Sequence, residues 1–399
     1  MESQKAQTVE KYQQYVMQTY APKLLLVKGQ GTWVWDETGK KYLDFGAGIS
    51  VSNLGHCHPA VVDAIRRQAG ILIHTSNLFM NENQPKLAEK LAKCGYDAVS
   101  FFANSGAEAN EGLIKFARKW GSEQGKSEII AMEDSFHGRT LATLAATGRS
   151  KYRKGFGPDM QGFKHVKFGD FAALEAAITP QTAAVLLEPV QGEGGIIPAS
   201  KEYLEQVRAL CDEKGILLLF DEVQCGTGRL GTFFAFQSYG VEPDALSMAK
   251  AIGNGFPLGV LMVRRPYAQV LTVGTHASTF GGTPLACAAG CAVVDTIMND
   301  GLLENCRIQG EYLTAGLEAL AVEFPCIQKV RSKGLMIGVQ MDRNAGSLLP
   351  ILNELGMIAL TAGENVLRLL PPLNVTRDEC DTAISLIRKA LSKWQSDNL

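Results

Sequence analysis

The chain contains no apolar run approaching the ~18 residues of a membrane-spanning helix, no block of like charge, no CxxC pair, no low-complexity segment and no internal repeat. Each absence removes a class of function. With 39 Lys and Arg against 41 Asp and Glu, the formal net charge is −2. There is then no electrostatic footprint for a nucleic-acid backbone or an anionic bilayer. The nine cysteines are odd in number and scattered. Neither a disulfide framework nor a zinc site is expected, and reduced thiols fit a cytoplasmic location. The opening stretch MESQKAQTVEKYQQ is polar, with no apolar h-region, and does not read as a signal peptide. No GxGxxG stands at a first βα turn, which argues against a nicotinamide-dependent dehydrogenase.

What is present is an ordinary globular composition, 46% hydrophobic and 20% charged, in 399 residues. That length suits two domains, or one large domain with an appendage. Residues 1–22 read as an arm or amphipathic helix. Runs at 31–35 and 41–45 flank Asp36-Glu-Thr-Gly39, a hairpin signature. From Ala98 onward, short apolar runs at 98–103, 128–132, 182–188, 216–220, 245–248 and 258–263 alternate with helical patterns. This predicts an α/β fold with a mostly parallel sheet covered by helices on both faces. A long helix of small residues begins at Pro284 and contains Cys287 and Cys291, which read as small core residues. Further helices and two short strands follow, then a terminal helix to about Trp394. His56 and His58 in GHCHP are two apart with no second pair to complete a metal set, so no metal site is expected.

The stretch from Ile216 to Gly259 organises the rest. The run ILLLF ends on Asp221 and Glu222, and ALSM ends just before Lys250. An acid and an amine therefore stand past two strand ends, separated by about the length of one βαβ unit, and can converge on one crevice. Pyridoxal phosphate needs such a pair, a Lys that forms a Schiff base and an acid beside the ring nitrogen. A strand-end Asp acting as a cap and a surface Lys is the plainer alternative. Gly-rich turns after both residues favour the cofactor site.

DEVQCGTGR followed by SMAKAIGNGFPLG resembles the class III, fold-type I pyridoxal-phosphate aminotransferases, and the resemblance runs from about Gly29 to Pro372. It implies a large cofactor-binding domain over residues 56–284. A smaller α+β domain would be built from both termini, residues 1–55 and 285–399. It also implies roles for individual residues. Lys250 is the Schiff-base residue, Asp221 pairs with the ring nitrogen, and Gln224 reaches the phenolic oxygen. Phe136 and Val223 cover the two ring faces. Ser105, Gly106 and Ala107 form a phosphate cup at a helix start, where free N–H groups suit an anion. The local alternative for Ser105 and Glu108 is a capping box. Ala107 stands where relatives commonly have Thr, so backbone contacts survive there and a hydroxyl contact does not. Met80 likewise stands where relatives often have Tyr.

On the substrate side, the resemblance assigns Arg139 to a substrate carboxylate and pairs Glu193 with a carboxylate-binding Arg368. Ser76 and Asn77 are weaker candidates in a loop that approaches the neighbouring subunit. His137 receives no proton-transfer role. HASTFGGTP implies that Thr279, with Ser278 as the lesser candidate, crosses a homodimer interface to the partner's phosphate. Within the family, the nearest branch transfers the terminal amine of N2-acetylornithine to 2-oxoglutarate in ping-pong fashion, in arginine biosynthesis. Ornithine, succinylornithine and 4-aminobutyrate transaminases are the alternatives, followed by an aminomutase and a non-catalytic cofactor-binding scaffold.

Overall fold

In the computed structural model, which describes residues 4–396, a seven-stranded sheet sits at the centre. Edge to edge it runs Ala98–Ala103, Gly259–Arg264, Ala245–Met248, Leu217–Asp221, Thr182–Leu187, Glu128–Met132 and Phe163–Val166. All strands are parallel except Gly259–Arg264, which is antiparallel to both neighbours. The reason is local. Only a single 3-10 turn, Lys250–Ile252, lies between Met248 and Gly259, too little chain for a crossover back to a parallel start. The sequence also misses the edge strand Phe163–Val166, because its FKHV run buries one side chain fully and three only partly.

The central strands are buried on both faces, and their side chains alternate between two cores. Leu218 and Phe220 join one cluster, Leu217 and Leu219 the other. Helix Lys201–Lys214 contributes Leu204, Val207 and Leu210 to the first; helix Gly106–Ser122 contributes Leu113, Ile114 and Phe116 to the second. Both helices are bounded as their sequences dictate. Ser200 caps the first through Tyr203 N, and Gly215 closes it in the left-handed region at φ 58°. Ser105 Oγ accepts from Glu108 N at 3.2 Å. The Glu108 carboxylate reaches back one residue further than a capping box requires, to Asn104 N at 2.6 Å.

The predicted hairpin is present as Trp33–Asp36 paired antiparallel with Lys41–Asp44. Asp36 Oδ1 holds the turn by accepting from Thr38 N and Lys40 N. A strand the sequence did not signal, Leu26–Gln30, pairs in front of it, and Met357–Ile358 adds in parallel behind. Segments from near both ends thus share one sheet. A second antiparallel sheet comprises Ile327–Lys333, Met336–Met341, Val366–Leu369 and Leu360–Ala362. Helix Gln4–Tyr15 agrees with the helical reading of the arm, whose first three residues lie outside the described part. Cys287 is buried and Cys291 half-buried in helix Pro284–Asn299. Among the described residues, no single helix is long and apolar enough to cross a membrane.

One fully buried guanidinium ties these parts together. Arg229 Nε donates to Ser50 Oγ at 2.9 Å, Nη1 to the carbonyls of Leu335 (3.1 Å) and Pro371 (2.5 Å), and Nη2 to Asn53 Oδ1. The set contains no carboxylate, and burial pulls the guanidinium pKa down to about 10. Five planar donors suit four acceptors drawn from both terminal segments; an ammonium does not. Arg229→Ala strands those acceptors and leaves a cavity, with an expected loss of about 3–5 kcal/mol in urea unfolding. Arg229→Lys should recover less than half of that loss.

Candidate active site

Strand parity decides where the first acid points. Asp221 has the parity of Leu217 and Leu219, so it faces the core covered by helix Gly106–Ser122. On that helix, Asn110 Nδ2 donates to Asp221 Oδ2 at 2.7 Å and to His137 O at 2.8 Å. Ser247, which pairs with Asp221 in the adjacent strand, donates to Asn110 Oδ1 at 2.6 Å. Val223 N donates to Asp221 Oδ1 at 3.0 Å. His137 Nδ1 lies 2.8 Å from Asp221 Oδ2 in a wholly buried pair. Burial pulls the His137 pKa down, but the hydrogen bond to Asp221 and its charge, with Glu188 adding, outweigh burial and the net shift is upward. The imidazole and the carboxylate therefore support each other. His137 Nε2 is buried without a hydrogen-bond partner among the described residues.

Glu222 takes the other side of the chain and a different fate. It accepts from Ala235 N at 2.6 Å and Phe236 N at 2.8 Å, and burial raises its pKa to about 8. It is a structural acceptor for a backbone turn. Glu188, at the end of strand Thr182–Leu187, is also buried, and burial raises its pKa to about 7. It accepts from Phe136 N at 3.1 Å and Gly192 N at 3.2 Å, joining two loops that carry site residues.

Lys250 is half-buried and left-handed at φ 52°. Desolvation lowers its amine pKa first and the Arg368 charge adds to this; Glu193, Asp221 and Glu188 oppose it. Arg368 is buried on strand Val366–Leu369. Its Nη1 donates to Glu193 Oε1 at 2.5 Å and to Gln224 Oε1 at 3.1 Å, while Nε has no partner among the described residues. The pairing of Glu193 with Arg368 expected from the sequence is therefore present, with Gln224 as a third member.

The helix start at Ser105, Gly106 and Ala107 lies against this group. A Cβ on Gly106 would come within 2.7 Å of Val223 Cγ1, and one on Gly138 within 2.9 Å of Ala107 Cβ. Only glycine permits such approaches. Phe136 is half-buried, and the Arg139 guanidinium lies 5.4 Å from its ring. Ser278 and Thr279 stand apart, on a surface cavity of about 340 Å³ shared with Asn104 and Glu108. Ser278 Oγ accepts from Gly281 N at 3.0 Å and Thr279 is exposed. Asn77 Nδ2 ties its loop to this segment through the carbonyls of Ser278 (2.9 Å) and Gly281 (2.8 Å). Ser76 is left-handed at φ 60°. Met80 is 98% exposed. His56 Nε2 is 2.8 Å from Asp44 Oδ2.

Sequence reasoning missed Asn110, Ser247 and Glu188. The signal for Asn110 was there, a polar residue one turn into the buried face of NSGAEAN; nothing local marked the other two.

The donor set fits pyridoxal phosphate: a fixed buried carboxylate, a lysine of depressed basicity, a helix N-terminus cleared by glycine, and buried orphan N–H groups on His137 and Arg368. The comparisons agree. The model of the family described as Aminotransferase class-III matches residues 15–391. An acetylornithine aminotransferase from Caldanaerobacter subterraneus is 48% identical, covering 95% of this chain and 98% of its own. The ornithine aminotransferase structure from Toxoplasma gondii superposes with a TM-score of 0.95 at 33% identity, covering 100% and 97%. The N-acetylornithine aminotransferase structure from Stenotrophomonas maltophilia gives 0.85 at 36%, covering 98% and 100%. With a fold, a site and relatives that agree over nearly its whole length, the chain belongs to the class-III aminotransferases, a family of pyridoxal-phosphate-dependent transaminases.

Proposed function

We propose that this chain moves the terminal amino group of N2-acetylornithine to 2-oxoglutarate, yielding N-acetylglutamate 5-semialdehyde and glutamate. The single observation that carries this reading is the Glu193–Arg368 ion pair, with Arg139 further out. Glutamate brings a carboxylate beside its reacting amine, whereas a terminal amine brings only methylenes there. With Glu193 engaged, Arg368 is masked and methylenes are tolerated; with Glu193 turned away, Arg368 takes the α-carboxylate of glutamate. Arg139 holds the distal carboxylate of either substrate. The identity to an acetylornithine aminotransferase favours the acetylated donor. Ornithine is the second reading, favoured by the TM-score of 0.95 to an ornithine aminotransferase.

The cofactor-binding residues in this reading are Ser105, Gly106 and Ala107 at the phosphate, Phe136 and Val223 at the ring faces, Asp221 at the ring nitrogen, Gln224 at the phenolic oxygen, and Lys250. When bound, pyridoxal phosphate supplies a carbonyl that condenses with amines and a ring that accepts the electron pair left when a C–H bond breaks. Lys250, freed by the incoming amine, moves the proton at the amine-bearing substrate carbon, a role suited to an amine of lowered pKa. His137, Asn110 and Val223 N fix the position of the Asp221 carboxylate that would meet the ring nitrogen. Val223 and Phe136 limit water at the reacting face.

We further infer a cytoplasmic homodimer in which Thr279, with Ser278 beside it, completes the partner's phosphate site. The exposed apolar side chains of Ile71, Ile73, Leu78, Phe79 and Phe280 around that segment support such an interface. The division into residues 1–55, 56–284 and 285–399 belongs to the same proposal.

The test is a single-turnover experiment on the cofactor-loaded protein, following the visible absorbance of the bound cofactor. N2-acetylornithine and glutamate should bleach it fast, ornithine at least tenfold more slowly, and Lys250→Ala should not turn over at all. Faster bleaching by ornithine or 4-aminobutyrate would move the substrate; a Lys250→Ala protein with wild-type turnover would end the catalytic assignment. A second prediction concerns the pair itself. Glu193→Ala leaves Arg368 permanently unmasked, so the ratio of kcat/KM for N2-acetylornithine to that for glutamate should fall by about tenfold or more, roughly 1.4 kcal/mol.

A further inference from the structure

Next to the site lies a short segment that the proposed mechanism does not use. Helix Ser150–Arg153 carries Tyr152, whose half-buried ring collects cations. The Arg139 guanidinium lies 4.1 Å from its centroid, Lys151 Nζ 5.3 Å and the Arg149 guanidinium 6.0 Å. The other edge of the cluster is apolar, since Tyr152 meets Phe136 edge-on at 5.9 Å with an interplanar angle of 89°. Arg149, just ahead of the helix, is itself buried and donates through Nη2 to the backbone carbonyl of Glu193 at 2.6 Å. One side of this segment therefore supports the guanidinium assigned to the distal carboxylate. The other side fixes the backbone of the residue that masks Arg368.

We propose that Tyr152 is a specificity-determining residue that positions Arg139 and so sets the distance between the reacting amine and the distal carboxylate that the site accepts. The inference rests on the assignment of Arg139 to that carboxylate. Arg139 is exposed, and a free arginine on a loop samples many rotamers, each costing entropy when an anion is clamped. A ring face at 4.1 Å restricts it through the cation–π attraction. Three cations around one ring also leave local positive charge. Asp134 lies 3.7 Å from Arg149 Nε and offsets part of it. A substrate carboxylate arriving at Arg139 neutralises more, so the cluster is built to receive an anion. The chemical class recognised is an ω-amine with a carboxylate at fixed reach.

The experiment compares wild type with Tyr152→Phe, Tyr152→Leu and Arg139→Met, all as cofactor-loaded protein. Two readouts are taken: single-turnover kinetics with N2-acetylornithine and with pentylamine, which has no distal carboxylate, and calorimetric affinity for glutarate, which does not turn over. Tyr152→Leu should raise the half-saturating concentration of N2-acetylornithine in the single-turnover rate and weaken glutarate about five- to tenfold. It should leave the limiting single-turnover rate within about twofold and pentylamine unchanged. Tyr152→Phe keeps the ring face and should match wild type. If Arg139→Met weakens glutarate and Tyr152→Leu does not, the positioning role is wrong while the Arg139 assignment stands. If Arg139→Met itself leaves glutarate and N2-acetylornithine unaffected, the assignment of Arg139 fails, and the role of Tyr152 fails with it. Loss of pentylamine turnover in Tyr152→Leu would show a general structural effect and would also overturn the proposal.

Discussion

The buried carboxylate of Asp221 is the constraint on which the other parts depend. A charge buried at the end of a central strand is tolerated only with partners. Here they come from three elements: Asn110 on the covering helix, His137 on the loop after Glu128–Met132, and the Val223 amide of its own turn. Because those partners are fixed, the helix start at Ser105–Ala107 and Phe136, next to His137, are fixed with them. The histidine gains from the same contact, and its pKa rises despite complete burial. Each member of the pair thus holds the other in place.

Four acidic residues within this small region show how environment assigns different chemistry to one functional group. Asp221 meets His137, the Asn110 side-chain amide and the Val223 N–H. Glu222 and Glu188 meet only backbone amides in a dry surrounding, and burial lifts them to about 8 and about 7. They act as acceptors that join loops, Glu188 linking Phe136 to Gly192. Glu193 is the most exposed of the four in its side chain at 22%, against 3% for its partner Arg368. An ion pair with one partner near solvent costs less to open than one with both buried. That asymmetry suits the proposed role of Glu193, in which it leaves Arg368 in half of each catalytic cycle.

Much of this was legible in the sequence, for identifiable reasons. The strands carrying Asp221 and preceding Lys250 are doubly buried and read as unbroken apolar runs, so the acid and the amine at their ends stood out. The reach of Arg368 to Glu193, 175 residues apart in the chain, was legible only through the family resemblance. Of the polar partners of Asp221, only Asn110 left a trace, as a polar residue on the buried face of its helix; the roles of Ser247 and His137 were not legible, because they arise from elements crossing in space. Each looks locally like a cap, a strand serine or a loop residue. Tyr152 was silent for the same reason: its neighbours Arg139 and Phe136 lie on another loop. The antiparallel strand Gly259–Arg264 could be found only by asking how much chain remained for a crossover.

Backbone strain follows the same geography. Of the ten non-glycine residues in the left-handed region among the described residues, Asp134, Ile196, Thr227, Lys250 and Asn254 belong to loops that bear or adjoin a site residue, while Ala47, Ile49, Ser50 and Cys57 cluster in the N-terminal segment. A non-glycine residue held there costs on the order of 1 kcal/mol or more and persists only where its surroundings over-determine it. At Lys250 the surroundings are visible. Ala249 is fully extended before it, and Gly253 N donates to the Lys250 carbonyl at 3.1 Å after it. Gly253 in turn has no room for a Cβ, which would sit 1.9 Å from Phe256 O. The chain is thus turned off the strand within one residue, and the lysine amine comes under the charges of Arg368, Glu193, Asp221 and Glu188. A residue without strain at this position would follow the sheet's period of two, and the amine and the carboxylate would be governed by strand register alone. The left-handed turn frees Lys250 from that register, and this lets two adjacent parallel strands deliver an acid and an amine to the same pocket.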